Sequence, residues 1–149
     1  MAPGSTVALY AGKDSEVDTL RLDEAARRRG LVVAYPRVHD HTRALTFHAV
    51  ERAALEPSRF GLLEPSADTP AVELTELAAF IVPGLGFDRS GGRIGWGRGH
   101  YDATFTAAGD GPLRIGLAFS CQVLDEVPRE AHDVGLHILI TEGTTLEVV

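Results

Sequence analysis

Two short apolar runs near the beginning of the chain restrict its fold more than any other feature. STVALYAG predicts a buried strand from about Thr6 to Tyr10, and LVVAYP predicts a second strand. The amphipathic stretch between them predicts a helix that Ser15 caps and Gly30 follows. Because a strand, helix, strand unit with short connections pairs its strands in parallel, we expect an α/β fold with a mostly parallel central sheet flanked by helices.

The remaining segments extend this pattern. RALTFHAV, LRIGLAFS, HILIT and TTLEVV predict further strands, and HYDATFTAA predicts a second helix. The proline-broken stretch ERAALEPSRFGLLEPSADTP indicates a functional loop layer. The apolar run from Ala78 to Val82 predicts a central strand that ends at Pro83. The segment after Pro83 therefore leaves the carboxyl end of a strand, where α/β sheets usually bind ligands.

Length, charge and cysteine usage restrict the class of protein. A chain of 149 residues matches one ordinary domain, and its net charge of −7 argues against nucleic acid or an anionic membrane as the main partner. The single Cys121 excludes an internal disulfide, and no apolar run approaches a membrane span or forms a signal peptide. We expect one cytoplasmic domain over residues 1–149 that binds small molecules.

The segment GGRIGWGRGHYD, residues 91–102, combines flexibility, positive charge and rings. Alternating glycines let several backbone N–H groups turn toward one anion, while arginines add charge-assisted donors and the rings offer flat faces. The candidate ligand is a nucleotide, or a phosphate beside a heterocycle. A tight turn before a helix is the simpler alternative, and the spacing fits neither the dinucleotide nor the P-loop fingerprint.

Two of three candidate acidic residues, Asp102 and Asp133, have two interpretations each. Asp102 is either a helix cap or a magnesium ligand, because Mg²⁺ is commonly held by one or two carboxylates and substrate phosphates. Asp133 is either the second magnesium ligand or a solvated loop residue. Glu16, considered alone, is a first-turn glutamate favoured by the helix dipole. The spacing of His39 and His41 occurs in metal sites, but without further ligands in the sequence they are interpreted as loop residues.

The stretch FIVPGLGFDRSGGRIGWGRGHYD resembles the signature of the 5-formyltetrahydrofolate cyclo-ligase family, also called 5,10-methenyltetrahydrofolate synthetase. The resemblance extends to ALYAGKDSEVDT, VVAYPRV, FGLLEP and VPREAHDVGLHILIT, and so covers nearly the whole chain. It implies a fold related to sugar-phosphate isomerases and CoA-transferases. It also implies an ATP-dependent, magnesium-requiring ligase of one-carbon metabolism that converts 5-formyltetrahydrofolate to 5,10-methenyltetrahydrofolate.

The resemblance also assigns roles to residues. It implies that Asp102 and Asp133 bind magnesium, that Glu16 hydrogen-bonds the pterin, and that no residue is a certain catalytic acid or base. The ATP-binding set that it implies is Arg93, Ile94, Gly95, Trp96, Gly97, Arg98, Gly99, His100 and Tyr101. The folate-binding set that it implies is Ala11, Glu16, Phe60, Trp96, Gly97, Arg98, Gly99 and His100.

The chain departs from the family pattern at three places. It starts almost directly at its first strand, without the usual amino-terminal helix rich in Lys and Arg. Trp96 stands where the family frequently has Tyr or a basic residue, and His100 stands where it has a tyrosine. The missing basic helix favours an alternative function, a folate- or nucleotide-binding paralogue without turnover. An isomerase or transferase of the same broad fold is a third possibility, which rests on architecture alone.

Overall fold

A computed structural model of the chain describes residues 1–13 and 15–148, without the side chain of Phe60. The described helices are α1 (Leu20–Arg28) and α2 (His100–Ala108). The described strands are β1 (Thr6–Ala8), β2 (Val32–Arg37), β3 (Thr46–Ala49), β4 (Glu56–Pro57), β5 (Leu63–Glu64), β6 (Leu77–Val82), β7 (Gly86–Asp88), β8 (Arg93–Ile94), β9 (Leu113–Leu117), β10 (Val123–Leu124), β11 (Ile138–Ile140) and β12 (Thr145–Glu147). Neither helix has the length and apolar character needed to cross a bilayer.

Seven strands form the central sheet, in the order β12-β11-β9-β6-β1-β2-β3. The five inner strands run parallel to one another. The edge strand β12 is antiparallel to β11, and the edge strand β3 is antiparallel to β2. The parallel pairing of β1 with β2 confirms the prediction made from the first two apolar runs. Two small sheets, β10-β7-β8 and β4-β5, lie outside the central one.

The sheet separates two apolar clusters, because successive side chains of a strand point to opposite faces. In β6, Ala79 belongs to one cluster and Phe80 to the other. Ala26 of α1 packs in the first cluster and Phe105 of α2 packs in the second. The two helices therefore cover opposite faces of the sheet, as the α/β class requires.

Helix α1 begins at Leu20, so the prediction that Ser15 caps it is wrong. The hydroxyl of Thr19 donates to the carbonyl oxygen of Tyr10, and the hydroxyl of Tyr10 donates to the carbonyl oxygen of Val17 at 2.8 Å. These bonds fold residues 17–19 back against the end of the first strand and prevent them from joining the helix. The interpretation of Glu16 as a first-turn glutamate is wrong for the same reason.

Asp88, the last residue of β7, attaches the chain around residues 127–129 to this strand. Its side chain is 2% exposed and accepts backbone N–H bonds from Val127 (2.9 Å), Gly92 (2.8 Å) and Ser90 (3.0 Å). Arg129 Nη2 lies 3.3 Å from Asp88 Oδ1. Burial by itself would raise the pKa of this carboxyl, but the N–H donors outweigh burial and hold the pKa at about 2.

We expect Asp88→Asn to lower the free energy of unfolding by about 2 kcal/mol at about pH 7, because an amide is a weaker acceptor and points an NH₂ group at backbone donors. The ordinary pKa is 3.8 and the folded value is about 2. The ionised carboxyl therefore stabilises the fold above about pH 4, and this contribution is lost as the pH falls toward about 2. Urea unfolding of both proteins across this range measures the difference.

The exposed Asp125 is a matched control for the same chemical change. Asp125→Asn is expected to change stability by less than about 0.5 kcal/mol. An Asp88→Asn penalty that equals this control, or one that grows on acidification, would contradict the role of the buried carboxylate.

Candidate active site

A cavity of about 560 Å³ lies where β1, β2 and β6 end, at the carboxyl edge of three adjacent strands. This is the size and location at which α/β folds commonly bind a small molecule. The lining residues come from the loops after β1 and β6, the end of β2 and the loop between β2 and β3, the loop around β5, the glycine segment (residues 93–101), the start of α2 and the loop before β11. They are Tyr10, Ala11, Lys13, Glu16, Pro36, Val38, Leu45, Leu62, Leu63, Glu64, Pro83, all of residues 93–102, Pro128, Glu130, His132 and Asp133.

Arg93 places a positive charge in the wall of this cavity. Its Nη1 donates to the carbonyl oxygen of Pro83 at 3.1 Å, and its guanidinium carbon lies 5.2 Å from the centre of the Tyr101 ring. Burial lowers the pKa of Arg93, although the nearby carboxylates of Asp102, Asp133 and Glu16 oppose that shift. The guanidinium stays charged at neutral pH, because even a lowered arginine pKa lies far above 7. An anion in the cavity would meet a permanent cation, most of whose N–H groups donate to no atom of the described residues.

Glu16 brings a carboxylate to the same cavity. The loop after β1 turns so that the N–H of Lys13 donates to Glu16 Oε1 at 2.9 Å. Burial raises the pKa of the Tyr10 hydroxyl, and the neighbouring Glu16 carboxylate raises it further. Burial also raises the pKa of Tyr101, with Arg93 opposing and Glu16 adding to the shift. Both tyrosines remain neutral hydroxyls, so the negative charge beside them comes from the Glu16 carboxylate, which can accept ligand N–H groups.

The glycine segment connects β8 to α2 along the rim of the cavity. Gly97 (φ +85°) and Gly99 (φ +69°) occupy the left-handed region that favours glycine, and Gly99 is the residue before α2 begins. A Cβ atom on Gly97 would have no protein atom within 4 Å, so the protein itself leaves room there. The indole of Trp96 is 57% exposed, which leaves its face open to a ligand.

The two predicted metal ligands lie in the same cavity, on neighbouring segments. Asp102 Oδ1 accepts the N–H of Val134 at 3.0 Å, which brings the start of α2 next to the loop that carries Asp133. Asp133 Oδ2 accepts the N–H of Glu130 at 2.7 Å. Asp102 is the third residue of α2 and bonds to another segment, so the interpretation of this side chain as a helix cap is wrong. Residues 1–13 and 15–148 contain no group of three or more His, Cys, Asp or Glu side chains arranged to hold a metal ion.

Every predicted site residue whose side chain the structure describes lines this one cavity. The side chain of Phe60 lies outside the described part of the chain. Their roles as ATP, folate and magnesium ligands remain predictions.

Sequence reasoning missed several lining residues, among them the charged Lys13, Glu64 and Glu130. Glu64 is 7% exposed, and its Oε2 accepts the N–H of Val38 at 2.7 Å. The signal available for Glu64 was a lone acid inside the apolar FGLLEP stretch. The signal for Lys13 was a cation directly after the first strand.

The sequence profile of the 5-formyltetrahydrofolate cyclo-ligase family matches residues 1–142. The chain belongs to this family. It is 32% identical over 142 residues to the 5-formyltetrahydrofolate cyclo-ligase of Mycolicibacterium smegmatis, a match that covers 91% of this chain and 73% of that enzyme. It is 31% identical over 148 residues to the Escherichia coli enzyme of the same name, with coverages of 95% and 80%.

A solved structure supports membership of the cyclo-ligase family. The NMR structure of Aquifex aeolicus 5,10-methenyltetrahydrofolate synthetase superimposes with a TM-score of 0.81 at 29% sequence identity. The superposition covers 97% of this chain and 72% of that one. The mixed α/β architecture with a large, mostly parallel sheet is thus that of a cyclo-ligase family member.

Proposed function

We propose that this protein is a 5-formyltetrahydrofolate cyclo-ligase, which uses ATP to close 5-formyltetrahydrofolate into 5,10-methenyltetrahydrofolate. The observation that carries the proposal is the convergence of Glu16, the glycine segment, Asp102 and Asp133 on one cavity in a chain of this family. The reaction needs these parts together. One acceptor must orient the pterin, one cradle must hold a triphosphate, and the two ligands must meet.

The substrate's pterin ring is proposed to lie against Glu16. The amine and ring amide of a pterin present adjacent N–H donors, which a carboxylate accepts in pairs. Ala11 and the exposed Trp96 would contact the ring faces, and Phe60 is proposed as a further aromatic wall. Residues 96–100 are proposed to face both ligands.

The ATP phosphates are proposed to lie in the glycine segment, residues 93–101. Left-handed glycines allow backbone N–H groups to approach a phosphate without a Cβ in the way. Arg93 would neutralise charge that accumulates on the transferred group, in a cavity wall that is partly withdrawn from water. His100 and Tyr101 complete this side of the cavity.

Asp102 and Asp133 fit a magnesium ion that arrives with the nucleotide. Each carboxylate has one oxygen on a backbone N–H and a second oxygen that accepts no backbone bond from residues 1–13 or 15–148. The second oxygen of Asp133 lies 3.6 Å from His132 Nε2. Two hard oxygen donors, supplemented by phosphate oxygens and water, are a usual set for Mg²⁺, which is why a cluster of three protein ligands is not required. When bound, the ion would offset the negative charge of the phosphates.

The chemistry follows from the poor leaving-group character of a formamide oxygen. Transfer of the γ-phosphoryl group to this oxygen breaks its bond to ADP and forms an imino phosphate. N10 then attacks the former formyl carbon, loses its proton, and the carbon–oxygen bond breaks to release phosphate. The residues of the cavity are proposed to position the two substrates and to neutralise charge, with no side chain assigned as acid or base.

Two further proposals, on the fold relationship and on the number of domains, accompany this function. The order of the parallel strands, with helices on both faces, supports the proposed relation to sugar-phosphate isomerase and CoA-transferase folds. The match of one family profile across residues 1–142 supports a single domain over residues 1–149.

The first test is formation of the methenyl product, followed by its absorbance, from 5-formyltetrahydrofolate, Mg²⁺ and ATP. We expect product only when all three are present. Asp102→Asn is expected to lower Mg²⁺-dependent turnover by about 100-fold or more, because a ligand charge is lost. The amide oxygen of asparagine still accepts the N–H of Val134, so folate affinity is expected to stay within about twofold.

Asp110→Asn makes the same change at an exposed position outside the cavity and should leave turnover intact. Saturable folate binding without ATP-dependent product would favour the non-catalytic alternative. Full activity of Asp102→Asn would refute the metal assignment.

A second prediction concerns the glycine segment. Gly97→Val is expected to abolish ATP binding measured by calorimetry, because its side chain occupies the space into which a phosphate must move. Gly109→Val is the matched control, since Gly109 also has a positive φ (+72°) and no atom within 4 Å of an added Cβ, but lies at the far end of α2. Equal ATP affinity of the two variants would exclude the glycine segment as the phosphate cradle.

A further inference from the structure

A second cavity, of about 330 Å³, adjoins the first one. Val38, Arg98 and His100 line both cavities, so a ligand that fills the first can extend into the second. The remaining lining residues form one loop between β2 and β3: His39, Asp40, His41, Thr42 and Arg43.

The second cavity is rich in cations and N–H donors, in a chain whose net charge is −7. Its lining contains two guanidinium groups, those of Arg43 and Arg98, and three imidazoles. Its one carboxylate, Asp40, is already paired with Arg59, which does not line the cavity. The local charge that faces an incoming group is therefore positive, and an anion is the ligand that it fits.

The loop that carries these groups is anchored at several points. His100 Nδ1 donates to the carbonyl oxygen of Arg43 at 2.8 Å, and His39 Nε2 lies 2.7 Å from Thr46 Oγ1. The N–H of Leu45 donates to the buried hydroxyl of Thr104 at 2.8 Å. Arg43 Nη1 would lie 3.7 Å from a Cβ placed on Gly99, so the Arg43 side chain borders the glycine segment. The cations are thus held beside the main cavity.

We propose that the second cavity is the subsite for the carboxylates of the substrate's glutamate tail, with Arg43 as the main contact. This rests on the proposed function, since the pterin end of the same molecule would occupy the first cavity. The anionic tail of ATP is the other source of negative charge. A magnesium-bound triphosphate calls for Asp102 and Asp133, however, and neither lines the second cavity. A carboxylate without a bound metal accepts hydrogen bonds from guanidinium and imidazole groups, and both kinds of group line this cavity.

The test compares two ligands and two arginine variants by equilibrium calorimetry. The ligands are 5-formyltetrahydrofolate and 5-formyltetrahydropteroate, which lacks the glutamate. Arg43→Gln is expected to weaken binding of the glutamate-bearing ligand by about fivefold to tenfold and to leave binding of the shorter ligand unchanged. Arg43→Lys, which retains the charge, should restore part of the lost affinity. The Kd of ATP should not change.

Arg21→Gln, an exposed change on α1 outside both cavities, is the matched control and should bind every ligand as the unaltered protein does. Equal weakening of both pterin compounds by Arg43→Gln, or no weakening, would overturn the subsite. Selective weakening of ATP binding would overturn it in favour of a nucleotide contact. Failure of the unaltered protein to bind either pterin compound would instead overturn the proposed function, and the subsite with it.

Discussion

A guanidinium that is partly withdrawn from water determines the charge pattern of the candidate active site. Burial of Arg93 disfavours its charged form, and the carboxylates of Asp102, Asp133 and Glu16 act in the opposite direction. The cavity is therefore lined by carboxylates on one part of its wall and by the Arg93 guanidinium on another, and these opposite charges attract each other. A ligand that carries both anionic phosphates and N–H donors is complementary to the cationic wall and to the carboxylates. An apolar pocket of the same size would not be complementary to such a ligand.

The fold supplies this arrangement by joining distant parts of the chain at one edge of a parallel sheet. The loop after β1 carries Glu16, the glycine segment follows β8, and Asp133 comes from the loop before β11. Asp88 collects backbone donors from the turn before β8 and from the segment before β11, and Asp102 links α2 to that same segment through Val134. The site thus depends on a few buried or half-buried carboxylates that act as junctions between loops.

Local patterns predicted the seven strands of the central sheet, the second helix and the glycine segment, because each depends on neighbours in the sequence, but they did not predict the short strands of the two small sheets. They failed where distant contacts decide the outcome. Tyr10 and Thr19 hold the residues before α1 out of the helix, which displaces Glu16 from a helix turn to the cavity. The acidic junction at Asp88 and the cavity residue Glu64 end short strands, β7 and β5, which are too brief for a periodic pattern to show which contacts their carboxylates make. The resemblance to the family supplied the candidate roles of Glu16, Asp102 and Asp133, which spacing alone left open.

The central claim is that one cavity brings the γ-phosphate of ATP to the formyl oxygen of the folate. The most direct measurement uses substrate with ¹⁸O in the formyl group and follows the label into released phosphate by mass spectrometry. The account predicts that phosphate leaves with the formyl oxygen, at one labelled atom for each product formed. Release of unlabelled phosphate together with methenyl product would contradict it, because the oxygen would then have departed without ever being phosphorylated.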